Sequence, residues 1–365
     1  MKDATMVLGS TPTPYVKASL PKRIAKIALK FLSIFFATLI VIVAALCAAM
    51  WVLAKGPSPT AQRLFVMTVK ETSAMGFLAN MYLSDAEIDR IMNPDEDYVD
   101  YIEATDPSMI TLPSYIPTVS INPSDSSPEE QCEEDIIEDL ELHEVIGNGY
   151  RGYMLIVRDP TRLFVSTPSN FGGRGLTLAQ MVENTGAVAG INAGGFDDPG
   201  GSGIGGTPDG LVICDGRVVW GAGSGRLSVV GFDADGLLHV GTMTPSEALN
   251  LGLQWAVSFG PTLISNGVPQ TQRASSGINP RTAIGQRADG AVLLLVIDGR
   301  QIESLGATLG DLIEVFLDFD AVNAANLDGG SSTLMIFDGE TINNCAAIAG
   351  PRPIPTSFLV RAAIR

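Results

Sequence analysis

Asn326-Leu327-Asp328-Gly329-Gly330-Ser331-Ser332-Thr333 ends an apolar run with a carboxylate and then withdraws every bulky side chain around it. A strand that stops this way presents its last polar group at an open edge, because glycine lets a ligand or another backbone come close. Upstream, Ala291 to Ile297 is a second apolar run ending in Asp298-Gly299-Arg300, and Thr308 to Phe319 between the two reads as a helix. If these strands are parallel neighbours, the crossover rule puts both carboxylates on one sheet edge, about 5 Å apart. The plainer alternative is that each Asp-Gly only makes a turn, and it applies more to Asp298 than to Asp328 with its Gly-Gly-Ser-Ser tail.

Outward from this pair, the chain from Tyr153 consists of short apolar strands separated by glycine turns. Tyr153 to Val157 and Leu163 to Ser166 read as a hairpin around Arg158-Asp159-Pro160-Thr161. Thr177-Leu178-Ala179-Gln180, Thr244-Pro245-Ser246-Glu247 and Thr308-Leu309-Gly310-Asp311 each fit a helix N-terminal cap, with Pro245 at the first helical position. Three helices among about a dozen strands give an α+β fold class, with one strand-rich catalytic domain over residues 151–365.

The N-terminal part is different. Phe31 to Ala54 is 24 residues without a charge, long enough to cross a bilayer. Lys17, Lys22, Arg23, Lys26 and Lys30 precede it, so the positive-inside rule places a basic tail, residues 1–30, in the cytoplasm and the rest outside the cell. The run exceeds a signal-peptide core and lacks a clear small-x-small cleavage site, which favours an uncleaved anchor. Pro57 to Met92 reads as amphipathic helix, with Ser84-Asp85-Ala86-Glu87 capping a second short helix; the expectation is a membrane-proximal stalk or a self-association segment that would make a homo-oligomer. Asn93 to Ser127 has linker composition, and Glu129 to Glu144 reads as a solvated acidic tract, so residues 55–145 are taken as stalk and linker.

Residues 1–55 carry seven Lys/Arg against Asp3, which leaves 16 basic and 39 acidic side chains in the other 310 residues. That balance argues against nucleic acid as a partner, because phosphate backbones need dense Lys/Arg. An anionic ligand needs a local arginine or a bound cation to reverse the field. Outside the apolar span, Cys132, Cys214 and Cys345 match no metal or disulfide spacing.

Asn192-Ala193-Gly194-Gly195-Phe196-Asp197-Asp198 follows a short strand, Val188 to Asn192, and opens a glycine-laden loop that runs to Asp209-Gly210. Gly201 to Gly206 matches the dinucleotide-binding expression, but a turn and a strand follow it instead of a helix, so the match is false. Asn279-Pro280-Arg281-Thr282 puts an arginine at a strand start, to be read as an oxyanion clamp or as a surface ion pair, and Arg352 in Pro351-Arg352-Pro353 has the same two readings. His143 and His239 are the only histidines, too few for a serine triad or a histidine-rich zinc site. Acid–base work then falls to carboxylates, with an oxygen-bound calcium or magnesium ion as an open option.

The ordered set Asn192–Phe196, Ser258-Phe259-Gly260-Pro261-Thr262-Leu263-Ile264, Asn279–Gly285, Asp298-Gly299-Arg300, Asn326–Thr333 and Arg352 resembles the phosphodiester glycosidase family, of the lysosomal uncovering-enzyme type. Its bacterial members are often called exopolysaccharide biosynthesis proteins. Two departures are visible: the first motif usually reads Asn-Ala-Gly-Phe-Phe or Asn-Gly-Gly-Phe, and a third glycine usually stands where this chain has Ser331. The resemblance implies hydrolysis of a sugar-1-phosphodiester in a cell-envelope or exopolysaccharide glycan. It implies Asp328 as catalytic carboxylate with Asp298 as partner or structural acid, and Arg281 and Arg352 on the phosphate. Asn192, Gly194, Gly195, Phe196, Asp209, Thr282, Gly329, Gly330, Ser331 and Ser332 would then bind sugar or phosphate oxygens. A non-catalytic envelope glycan-binding or assembly protein is the alternative.

Overall fold

The computed structural model describes residues 22–72, 75–92, 104–112, 140–199, 203–271, 276–347 and 350–363. The first 21 residues of the basic tail, most of the Asn93–Ser127 linker, Cys132 and the start of the acidic tract lie outside the described residues. The chain divides into two compact units, residues 1–56 and 57–365.

In the first unit, α1 (Lys22–Lys55) is one continuous helix of 34 residues. From Ile24 onward it is long and apolar enough to cross a membrane.

The second unit begins with three short helices, α2 (Pro59–Lys70), α3 (Phe77–Asn80) and α4 (Asp85–Met92). Ser58 caps α2 ahead of Pro59. Ser84 and Glu87 exchange reciprocal bonds at the start of α4, the cap expected from the sequence. The helices α2, α3 and α4 belong to the same unit as the strands, so they pack as part of the body, where a separate stalk was expected. Residues 104–112, within the expected linker, also bond to the body: Thr111 N–H donates to the Ala288 carbonyl and Asp106 N–H to Asn266.

Three sheets make up the rest, and every paired strand runs antiparallel to its neighbour. The first has the order β1 (Leu140–Gly147), β2 (Tyr150–Val157), β13 (Val292–Ile297), β12 (Arg281–Arg287), β14 (Ala321–Leu327), β10 (Thr262–Ser265), β11 (Val268–Pro269). The second runs β16 (Glu340–Thr341), β15 (Met335–Phe337), β4 (Ala189–Asn192), β17 (Ser357–Val360), β3 (Leu163–Ser166). The third runs β6 (Arg217–Trp220), β5 (Val212–Cys214), β9 (Trp255–Ser258), β7 (Leu227–Phe232), β8 (Leu238–Met243). The helices α5 (Leu178–Thr185), α6 (Pro245–Asn250) and α7 (Leu309–Asp318) begin at the three indicated threonine caps, each with a complete capping box.

Three expectations are corrected. β13 and β14 are not neighbours: both pair with β12, which lies between them, so they are co-directional but two strands apart. β2 and β3 form no hairpin, because they belong to different sheets and β2 pairs with β1 and β13 instead. The end of the acidic tract, from Leu140, is itself strand β1, so the domain starts before residue 151.

The reason lies in burial. Val292, Leu294 and Val296 point into a core shared by all three sheets, with Leu327, Ile191, Phe358, Val230 and Val257. Leu293, Leu295 and Ile297 point the other way, against Leu312 and Phe316 of α7. A strand covered on both faces reads as an unbroken apolar run whatever the direction of its neighbours.

Candidate active site

The site sits where the first and second sheets meet. Asn192, the last residue of β4, is buried, and its side-chain oxygen accepts from the Thr282 hydroxyl (2.8 Å) and the Leu334 N–H (3.1 Å). Its amide nitrogen donates to the main-chain carbonyl of Asp328 (2.6 Å), while Asp328 N–H donates to the Ala193 carbonyl (2.9 Å). β4 and β12 together therefore fix the backbone at the end of β14, which aims the carboxylate. Beyond it the chain reverses at Gly330, whose φ of +61° a side chain rarely adopts, and whose N–H donates to the Pro280 carbonyl (2.8 Å).

Asp328 lines a cavity of about 940 Å3. Burial pushes its carboxyl up to about 7, opposed by hydrogen bonds from Ser332 and Gly329 and by the Arg352 charge; Asp198 adds to the rise. A carboxyl poised there can exchange protons at neutral pH. Arg352 stacks over the Phe196 ring at 5.0 Å, donates to the Ser331 hydroxyl (2.9 Å) and pairs with Asp198 (2.7 Å). Arg300, also in the lining, donates to Thr72 (2.9 Å) and to Asn279 (3.2 Å).

Of the residues singled out in the sequence, Asp328, Gly329, Gly330, Ser331, Ser332 and Arg352 line this cavity, as do Gly195, Phe196, Asp209 and Arg281. Asn192, Gly194 and Thr282 stand behind the lining: Gly194 N–H donates to Thr356, and the other two brace Asp328. Arg281 is buried, with Nε on the Ala307 carbonyl and Nη2 shared among Glu71, Ser276 and the Gly277 carbonyl. Asp298 is not brought to Asp328. It is buried, accepts from Asn343 and from the Asn344 N–H, and is absent from the cavity lining. Burial also raises its pKa, with those two bonds and the Arg151 charge opposing.

The sequence reading missed Arg300, Asp198 and Asn279 as lining residues, although Arg300 and Asn279 lie inside the motifs it quoted. It gave no signal for Glu71 and Thr72, which come from the segment read as stalk. Among the described residues, no group of three or more His, Cys, Asp or Glu side chains comes together to hold a metal ion. His239 bonds Asp233 in the third sheet and is buried there. Burial holds the Cys214 thiol up at about 12, so it is no nucleophile at neutral pH.

A family model described as phosphodiester glycosidase matches residues 185–361, which include β4, β12, β14 and Arg352. The chain carries a phosphodiester glycosidase domain. Over 198 residues this domain region is 31% identical to the SPbeta prophage-derived uncharacterized protein YomE of Bacillus subtilis, covering 51% of this chain and 29% of that protein. Over 217 residues it is 30% identical to mouse N-acetylglucosamine-1-phosphodiester alpha-N-acetylglucosaminidase, covering 53% of this chain and 41% of the relative. The chain thus spans well under half the length of these relatives. The zebrafish N-acetylglucosamine-1-phosphodiester alpha-N-acetylglucosaminidase catalytic domain, solved in a form auto-inhibited by pro-peptide, shares the fold: TM-score 0.51 at 22% identity, over 61% of this chain and 82% of that one. In the phosphodiester glycosidase domain, Asp328 and its glycine turn, Asn192, Arg281, Arg300 and Arg352 all fall within the matched span.

Proposed function

We propose that this chain hydrolyses sugar-1-phosphodiesters, breaking the anomeric C–O bond and releasing free sugar and a phosphomonoester. The observation that carries the reading is Asp328, a carboxyl raised to about 7, in a cavity that also holds Arg300 and Arg352, within the phosphodiester glycosidase domain. In a strongly acidic chain those two arginines supply the local positive charge a phosphodiester needs. Ionised Asp328 takes a proton from the water that attacks the anomeric carbon. The phosphate leaves as a weakly basic anion, so it departs with little protonation and one carboxylate suffices. Arg281 also lines the cavity, but its guanidinium is held by Glu71, Ser276 and main-chain carbonyls, and Asp298 fixes the loop at Asn343 and Asn344.

The name of the mouse relative makes an N-acetylglucosamine-1-phosphodiester the first substrate to try. The deciding measurement is release of free sugar by the full-length chain from a panel of α-linked sugar-1-phosphodiesters, beside Asp328→Asn. Turnover in the wild type that the variant loses supports the reading; equal release by both, or none by either, refutes it.

For location, we read α1 as an uncleaved anchor with its basic N-terminal side in the cytoplasm, which puts envelope or exopolysaccharide glycans within reach of the domain. Protease added to intact cells should then remove the chain beyond residue 56. Full protection of that part would overturn the orientation.

A further inference from the structure

Glu71 is a carboxylate directly after the last turn of α2. Negative charge at a helix C-terminus opposes the helix dipole, so helix stability does not explain it. Its bonds do. Oε1 accepts from the Gly277 N–H (2.9 Å), and Oε2 accepts from Asn279 (3.1 Å) and from Arg281 (2.7 Å). The other acceptors of Arg281, the Ala307 and Gly277 carbonyls and the Ser276 hydroxyl, are neutral, so Glu71 is the counter-charge for a buried guanidinium. Next to it, Thr72 is buried and its hydroxyl accepts from Arg300 (2.9 Å).

These contacts form a chain into the cavity. The Asn279 carboxamide donates to Glu71 through nitrogen and accepts from Arg300 through oxygen, so it relays the position of one to the other. Pro280, the next residue, holds the Gly330 N–H of the turn that follows Asp328. A Cβ on Gly330 would stand 3.4 Å from the Arg300 guanidinium, so that side chain lies directly over the turn. The docking is built in at the backbone: Ile278 N–H donates to the Thr68 hydroxyl (3.0 Å), and a Cβ on Gly277 would come within 2.4 Å of the Thr68 main chain.

We infer that Glu71 and Thr72, at the end of α2 and outside the matched span of the phosphodiester glycosidase domain, are positioning residues: they orient Arg300 and the Asn279–Arg281 segment against the Asp328 turn. The inference rests on the proposed hydrolase reading. It makes the segment after α1 a wall of the site, whereas a detachable cover would leave Arg281 buried without its counter-charge.

The test uses the full-length chain with an N-acetylglucosamine-1-phosphodiester for turnover and N-acetylglucosamine 1-phosphate for binding by calorimetry. Thr72→Val keeps the shape and removes the hydroxyl that accepts from Arg300 and reaches the Thr68 carbonyl and the Asn279 side chain; Glu71→Gln keeps the shape and removes the charge. Expected are a KM rise and a loss of sugar-phosphate affinity of about tenfold for Thr72→Val, with kcat within about threefold and melting temperature unchanged. Glu71→Gln should lower kcat/KM by more than tenfold, and Glu71→Asp should recover part of it. Unchanged KM and affinity in both variants, or activity that rises, overturns the inference while wild-type turnover leaves the hydrolase reading standing. A wild type that neither turns over nor binds the sugar phosphate refutes both.

Discussion

Asp328 and Asp298 look alike in the sequence: each ends an apolar strand and each is followed by glycine. In the fold they part. Asp328 lines an open cavity, its backbone is clamped by Asn192 and Ala193, and its carboxyl, which accepts from Ser332 and Gly329, faces that cavity. Asp298 is buried, and its carboxyl is spent on Asn343 and Asn344. Both carboxyls accept two hydrogen bonds, Asp328 from Ser332 and Gly329; the one closed off from the cavity organises a loop, and the one at the cavity wall can meet a substrate.

The sharpest way to break this comparison is turnover. Asp328→Asn should lower kcat by about a thousandfold, the scale of losing acid–base participation, when free-sugar release is followed at saturating substrate. A loss of similar size in Asp298→Asn, measured per folded molecule, would make the two acids partners after all. Next in size, Arg352→Ala should raise KM by about tenfold or more with a smaller change in kcat, because it removes a positive charge from the cavity lining beside the Asp328 turn.

The pH dependence separates the two acids further. With Asp328 as base, kcat/KM should fall roughly tenfold per unit below pH 7 and level off above it, and the limb should vanish in Asp328→Asn. Its folded pKa is raised, so its contribution to stability is fully present below the unfolded value and is lost as pH rises through about 7. Asp328→Asn should therefore melt higher than wild type at pH 8, by an amount worth at most about 4 kcal/mol, with the gap closing towards pH 4. A constant gap in thermal melts would count against a raised pKa. Asp298→Ala should act in the other direction, costing about 2 kcal/mol of stability in denaturant unfolding by stranding two buried donors, with kcat within about threefold.

The same contrast bears on what was legible. Local signals translated directly: threonine caps set the starts of α5, α6 and α7, and Ser84 with Glu87 set α4. The glycine turn after Asp328 announced an accessible carboxylate, and the ordered motifs announced the family. Long-range pairing was not legible. The run Val292–Ile297 reveals burial on both faces, but that is satisfied equally by parallel or antiparallel neighbours, so β12 between β13 and β14 left no trace. For Arg281 the sequence offered a clamp or an ion pair, and its partner proved to be an acid 210 residues away.

By itself, then, the sequence determined the apolar helix, the capped helices, the strand-rich class and the set of polar groups at strand ends, because each depends on neighbours within a few positions. Which of those groups meet was decided only by tertiary structure. Asn192 reaches Asp328, Asn279 reaches Glu71 and Asp298 reaches Asn343 because sheet packing brings distant segments within hydrogen-bond distance, and a bond about 3 Å long carries no record in the spacing of the chain.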